Sequence, residues 1–262
     1  MAPVSTQDFY AEITASTATM ARLLAASGPD LPVPTCPGWT MRKLATHVGR
    51  AQRWAGHIVA TRSPELIPYR SAPDGKLPAD PAAWPAWLRA GAQLVTSEIT
   101  AAGEDRVWTF VGPRPASFWA RRMAHETAVH RADAELAAGD DPVLGDRIAA
   151  DGIDEWLGFL PGPDAGQAGE PGDPRLTALP DGGSLHVHVT GDGLDGTGEW
   201  LIRREGPGLT VSRGHAKADA AIRGPAGRVL LALVRRIPAD DRAIEVLGDR
   251  ELVTRWLANT PY

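Results

Sequence analysis

The feature that most limits what this chain can fold into is a change of hydrophobic period. Up to about residue 160 the apolar side chains recur at i, i+3 and i+4, the spacing of one helical face, whereas beyond residue 174 they alternate, as on a half-buried strand. An all-helical or all-β fold accommodates only one of these patterns. Between them lies PGPDAGQAGEPGDP, residues 161–174, dense in Pro and Gly and without apolar periodicity, which reads as a linker or long surface loop. With 262 residues in all, each part is long enough to bury its own core. The expected class is therefore α followed by α+β. Residues 1–160 form a helical bundle, 161–174 the linker and 175–262 a small α+β domain.

Four helices are expected in the first part. Phe9, Ile13, Met20, Leu23 and Leu24 share a face in a segment from Ser5 to Ala26, stopped by Gly28. After the turn-forming LPVPTCPGW, Thr40 is placed to cap a second helix that carries Leu44, Val48, Ile58 and Val59 and ends near Thr61. Asp80 and Pro81 have the form of a cap followed by an N1 proline, opening a third helix to Ala102. A fourth spans Ala116 to Ala138, with Gly139 as its terminating glycine. A short fifth, Asp146 to Leu160, leads out of the bundle. In the second part SLHVHVTG, EWLIRR, LTVSR and ADAAIRG read as strands, the first hairpin turning at GDGLDGTG, with helices near 225–236 and 248–258. The loops 62–80 and 103–114 carry no pattern that places them, and there is no internal repeat.

Charge and composition narrow the partners. A net charge of −5 with scattered basic residues offers no footprint for a polyanion, so nucleic acid is excluded as an expected partner and a small molecule is favoured. The opening MAPVSTQDFY has no basic segment followed by an apolar one, and no apolar run approaches the roughly 18 residues that cross a bilayer; the expectation is a cytoplasmic protein, monomer or homodimer. Cys36 is the sole cysteine, so a metal site must be built from His and carboxylates. Its position in the turn before the second helix suggests a structural thiol.

The fourth helix carries the chemistry. On a wheel of about 100° per residue Glu126 and His130 are about 40° apart, with Trp119 and Asp133 within about 20° of Glu126. Its apolar face, Ala124, Thr127, Ala128 and Leu136, is weak, so the polar stripe is expected to face inward, where a cation would satisfy an otherwise costly ionisable pair. The letters HETAVH imitate the zincin motif, but His125 and His130 are about 140° apart and cannot share one metal. A third ligand must come from another helix. His47, in LATHVGRAQRW, is the best placed; His57, about 80° round the same helix and nearer its end, is the competitor. Two His, one carboxylate and an open position form a catalytic type of zinc site, though non-haem Fe(II) takes the same ligands and a surface Glu–His pair would account for the same letters.

Weaker candidates surround this set. Arg50 and Arg122 are candidates to meet an anionic substrate, although Arg on a bundle helix is commonly solvated or salt-bridged. Trp54 is a candidate pocket wall. His186 and His188 lie two apart on one strand face without a third ligand, and are read as a solvent-facing pair. Arg223, at a strand end before a helix, is a candidate anion contact.

PTCPGWTMRKLATHVGR, residues 34–50, and PASFWARRMAHETAVHRADAE, residues 115–135, resemble the paired signatures of the mycothiol-dependent maleylpyruvate isomerase family, a branch of the DinB-like four-helix metalloenzymes. LGDRIAADGIDEWL, LHVHVTG, GEWLI, AIRGPAGRVLLAL and VLGDRELV resemble that family's second domain, a sterol-carrier-like α+β unit. The resemblance implies His47, Glu126 and His130 as metal ligands. It also implies mycothiol, the low-molecular-weight thiol of actinobacteria, as cosubstrate, and addition of its thiolate to a small electrophile by an isomerase or S-transferase. A metalloenzyme that uses metal-activated water instead, and a non-catalytic lipid- or small-molecule-binding module, are the competing readings.

Overall fold

In the computed structural model, which describes residues 3–160, 177–194, 196–206 and 208–260, the chain divides into two compact units. One is Ser5–Pro142. The other runs from Val143 onward and takes in Pro3 and Val4 at the chain's start. The expected linker, 161–174, lies outside the described residues.

The first unit holds α1 (Thr6–Ser27), α2 (Met41–Ala60), α3 (Trp84–Ala102) and α4 (Ser117–Ala138). Their ends follow local chemistry. Ser5 and Asp8 form a reciprocal capping box, the Ser5 hydroxyl accepting the Asp8 amide at 3.2 Å and the Asp8 carboxylate accepting the Ser5 amide at 2.9 Å. Gly139 ends α4 at φ 85°, a left-handed conformation that costs a side-chain-bearing residue dearly. Thr40 occupies the cap of α2 but its hydroxyl makes no capping bond. Asp80 caps a short 3₁₀ turn, Pro81–Ala83, rather than α3 itself, which begins one turn later at Trp84. Within the unplaced loop 103–114 the chain makes a small antiparallel hairpin, β1 (Arg106–Val107) with β2 (Arg114–Pro115).

Packing in this unit runs α1 against α4 and α2 against α3. Met20, Leu24, Leu44, Val48 and Leu88 are among its fully buried side chains. The α2–α3 contact is close because Gly49 lacks a side chain: a Cβ there would sit 2.1 Å from the Trp87 ring. Arg53 seals the same contact, stacking 4.2 Å from the Trp87 ring and donating to the carbonyls of Gly49 and Trp87. The face α4 turns inward combines alanines 120, 124, 128 and 132 with Arg122, His130 and Asp133, all buried. The small side chains let neighbouring helices approach; the polar ones must find partners.

The second unit contains α5 (Asp146–Leu157), β3 (Ser184–Thr190), β4 (Glu199–Glu205), β5 (Gly208–Arg213), β6 (Ala220–Pro225), α6 (Ala226–Leu233), β7 (Glu245–Gly248) and α7 (Arg250–Asn259). Its sheet has the order β5-β4-β3-β6-β7, antiparallel throughout except for the parallel pair β3/β6. The α5 helix, expected to lead out of the bundle at the end of residues 1–160, packs on α6 and so counts with this unit. Strand β7 was not anticipated: it is a four-residue edge strand with no buried position, so it presents no alternation to read. Among the described residues no helix is long and apolar enough to cross a membrane.

Candidate metal centre

Four segments of the bundle converge on one cluster. His47 projects from the middle of α2, Glu126 and His130 from successive turns of α4, Trp39 from the turn before α2, and Tyr69 from a short 3₁₀ turn, Tyr69–Ser71. Glu126 Oε1 lies 2.9 Å from His47 Nε2 and 3.3 Å from His130 Nε2. The two imidazoles meet edge to face with centroids 4.8 Å apart. Ligand bonds of about 2.0–2.1 Å at a tetrahedral angle hold donor atoms about 3.3 Å apart; the two N–O separations are close to that, and all three donor atoms lie within 4.8 Å of one another. The residues therefore fit a zinc-sized ion.

The supports of these three side chains are equally specific. Arg122 donates to Glu126 Oε2 at 3.1 Å, leaving Oε1 for the histidines. His130 Nδ1 is 2.7 Å from Asp133 Oδ2, and Asp133, which is fully buried, also accepts from the Thr35 hydroxyl at 2.5 Å. With Nδ1 donating to a carboxylate, the imidazole is fixed in the tautomer that presents Nε2 to a cation, the usual carboxylate–histidine–metal relay. Trp39 stacks on His130 with centroids 6.1 Å apart and lies tilted against His47 at 5.1 Å. Tyr69 donates to the backbone carbonyl of His47 at 3.1 Å, and its phenol is pushed up to about 12, chiefly by burial.

The charges are strongly coupled. Burial pushes the Glu126 carboxyl up, but hydrogen bonds from His130 and His47 and the charges of His130 and Arg122 outweigh it and hold the group well below the usual carboxylate range. Burial likewise opposes protonation of His130. Hydrogen bonds to Asp133, Cys36 and Glu126 reverse the balance and lift its pKa well above that of an ordinary imidazole. Without a cation, a proton on His130 answers the buried carboxylates.

A second grouping, Cys36, His130 and Asp133, also brings ligand atoms together. Its carboxylate is already engaged by Thr35, His130 and the Cys36 thiol, the last at 3.4 Å, and it is closed to solvent. The His47 and Glu126 side chains, by contrast, remain 30% and 20% exposed, which leaves room for an incoming ligand.

The other sequence candidates separate clearly. Trp54 belongs to an aromatic group with Tyr69, Trp108 and Trp119, its indole N–H donating to the Ile67 carbonyl. Arg50 is tied to the Gly75 carbonyl, lies 5.8 Å from the Tyr69 ring and borders a cavity of about 1050 Å³ shared with Arg53, Arg70, Asp74 and Lys76. His57 stays at the end of α2, outside the cluster, and His125 packs edge-on against Phe9, as its helical angle required. Arg223 lies on β6 in the second unit, half exposed, 3.6 Å from Glu245. One expectation is corrected: His186 is not solvent-facing but buried, and Glu199 and His215 lie beside it. The alternation of one strand could not show that register places Glu199 opposite His188, or that the chain after β5 returns to the same place. Thr35, Trp39 and Tyr69 were missed as supports, because nothing in a loop's sequence fixes where it docks.

A comparison with curated protein sequences finds no match. Among solved structures, one described as the mycothiol-dependent maleylpyruvate isomerase aligns over 94% of this chain and 95% of its own, with a TM-score of 0.57 and 14% identity, a likeness of fold. A ubiquinone synthesis protein, UbiJ-SCP2, covers 45% of this chain and 93% of its own at 19% identity, but its TM-score of 0.27 carries no argument. The family model for the mycothiol maleylpyruvate isomerase N-terminal domain matches residues 10–135, and that for the C-terminal domain of the same family matches residues 147–255. Bundle, sheet-containing domain and both family models agree: the chain belongs to the mycothiol-dependent maleylpyruvate isomerase family.

Proposed function

We propose that the chain is a divalent-metal enzyme, zinc being the expected ion, that joins the thiol of mycothiol to a small electrophile. His47, Glu126 and His130 would hold the ion. The observation that carries this reading is the convergence of two imidazole nitrogens on one carboxylate oxygen, with Glu126 Oε2 and His130 Nδ1 occupied by Arg122 and Asp133. A cation bound there supplies the charge that removes the proton of a coordinated thiol near neutral pH.

The chain's own residues do the rest. Asp133 orients His130 and Arg122 orients Glu126, so the side chains that would hold the ion are positioned before substrate arrives. Trp39 and Tyr69 flank His47. Once the thiol has added to an electrophilic carbon, the adduct either rotates about the former double bond and releases the thiol, as in an isomerase, or is kept, as in an S-transferase. These residues serve both outcomes. Arg50 and Arg122 are proposed to meet an anionic substrate.

The test is metal content and turnover of a maleylpyruvate-like electrophile with and without mycothiol. Loss of both metal and thiol-dependent turnover in His130→Ala supports the reading. Full metal retention in that variant, or turnover independent of the thiol, overturns it.

A further inference from the structure

A second group of imidazoles stands on the sheet of the C-terminal unit. His186 and His188 project from one face of β3; register sets His188 directly opposite Glu199 on β4. The backbone amide of Gly214 bonds to the Glu199 carbonyl at 3.0 Å just past β5, which carries His215 back over the same carboxylate. Three histidines from two chain segments thus surround one glutamate from a third. Their ring centroids are 5.3 to 6.4 Å apart.

The imidazole nitrogens gather round the carboxylate, and one of them lacks the bond an ion pair would make. Glu199 Oε2 lies 2.7 Å from His215 Nδ1 and 3.1 Å from His186 Nε2, and Oε1 lies 4.0 Å from His188 Nε2. His186 is 4% exposed, and its Nε2 is buried without a hydrogen-bond partner although the carboxylate oxygen is within reach. The N–H direction and the oxygen do not line up. A lone pair on Nε2 and one on Oε2 that converge on a third atom would explain both the short separation and the missing bond. Donor atoms of His186, Glu199 and His215 all fall within 4.8 Å of one another.

We propose that His186, Glu199 and His215, with His188 as a fourth ligand, form a second metal site, distinct from the bundle centre, that takes a borderline transition cation of the zinc type. Three imidazoles and one carboxylate favour zinc, nickel or copper(II) over magnesium or calcium, which take oxygen ligands. Because His215 is largely exposed, the site opens to solvent on its side and loads by exchange. A bound ion would tie the segment after β5 to the sheet's central strand.

The experiment is zinc titration of the full-length, chelator-stripped protein by calorimetry, together with the Glu126→Gln, His186→Gln and His215→Gln variants. The expected result is two binding events in the unmodified protein. Glu126→Gln removes one, and His186→Gln or His215→Gln weakens the other by more than the roughly 10–100-fold that loss of an outer-shell partner costs. His215 is exposed, so its variant keeps the fold even if His186→Gln does not. A single event that disappears in Glu126→Gln and is untouched by His215→Gln overturns this proposal and leaves the bundle centre standing. A single event that survives Glu126→Gln and is lost in His215→Gln does the reverse.

Discussion

Replacing Asp133 by Asn tests whether the bundle's carboxylate–histidine relay positions a metal ligand or merely fills the core. The two side chains have nearly the same volume, and the single Asn carbonyl can still accept from His130 Nδ1, which stands 2.7 Å from Asp133 Oδ2, but not also from the Thr35 hydroxyl, 2.5 Å from Oδ1. What is lost is the negative charge that raises the basicity of the opposite nitrogen, and the second acceptor becomes an NH₂ donor facing the Thr35 hydroxyl. Loss of an outer-shell carboxylate of this kind weakens metal binding about 10–100-fold, or about 1.4–2.7 kcal/mol. The assay is competition for zinc against a chromophoric chelator, with thermal unfolding of the metal-free proteins as the control for folding. Cys36→Ala, which removes only the 3.4 Å thiol contact to Asp133, should stay within a few-fold of the unmodified chain. An Asp133→Asn protein that folds and binds zinc as tightly as the original would refute the relay. If Cys36→Ala is the more damaging of the two, the thiol is a ligand and the centre is the Cys36 grouping instead.

The pH dependence has a definite sign. In the metal-free protein His130 is protonated well above the ordinary imidazole range, so its contribution to stability is full below about pH 6.5 and disappears as pH rises through the raised value. Metal must displace that proton, so zinc affinity should increase with pH over the same interval and calorimetry in buffers of different ionisation enthalpy should register proton release; affinity flat with pH would contradict it. Gly49→Ala puts a Cβ into the Trp87 ring, which the indole bond to the Asp74 carbonyl and the stacked Arg53 hold in place; a loss of about 1–3 kcal/mol in urea unfolding is expected, and a neutral result would show that the ring yields. Ser5→Ala removes one half of the α1 capping box and should cost about 1 kcal/mol by the same measurement. Ser184→Ala withdraws a hydroxyl that donates to Asp219 at 2.7 Å and helps hold its pKa below the usual carboxylate range; in an NMR titration the pKa should move up toward that of a free aspartate.

The sequence by itself determined the helical half and its ends, because caps, terminating glycines and the 3.6-residue period are local. Ser5, Gly28 and Gly139 stop or start helices within a residue or two of where their chemistry required. It also determined which residues of α4 share a face, since Glu126 and His130 are related by the geometry of a single helix. That was sufficient to discard His125 and to require a partner from elsewhere. The identity of the partner came to the sequence through family resemblance, and the structure brings His47 to 2.9 Å from Glu126.

Only the tertiary structure decided matters that depend on contacts distant along the chain. Thr35 reaches Asp133 across 98 positions, Tyr69 docks on His47 from an unpatterned loop, and Arg122 turns to Glu126 rather than to solvent. The histidines of β3 show the difference most plainly. Their spacing declared a shared strand face. Their burial, the carboxylate opposite and the third imidazole were set by strand register and by the turn after β5, and register is fixed by the packing of the whole sheet rather than by any one strand.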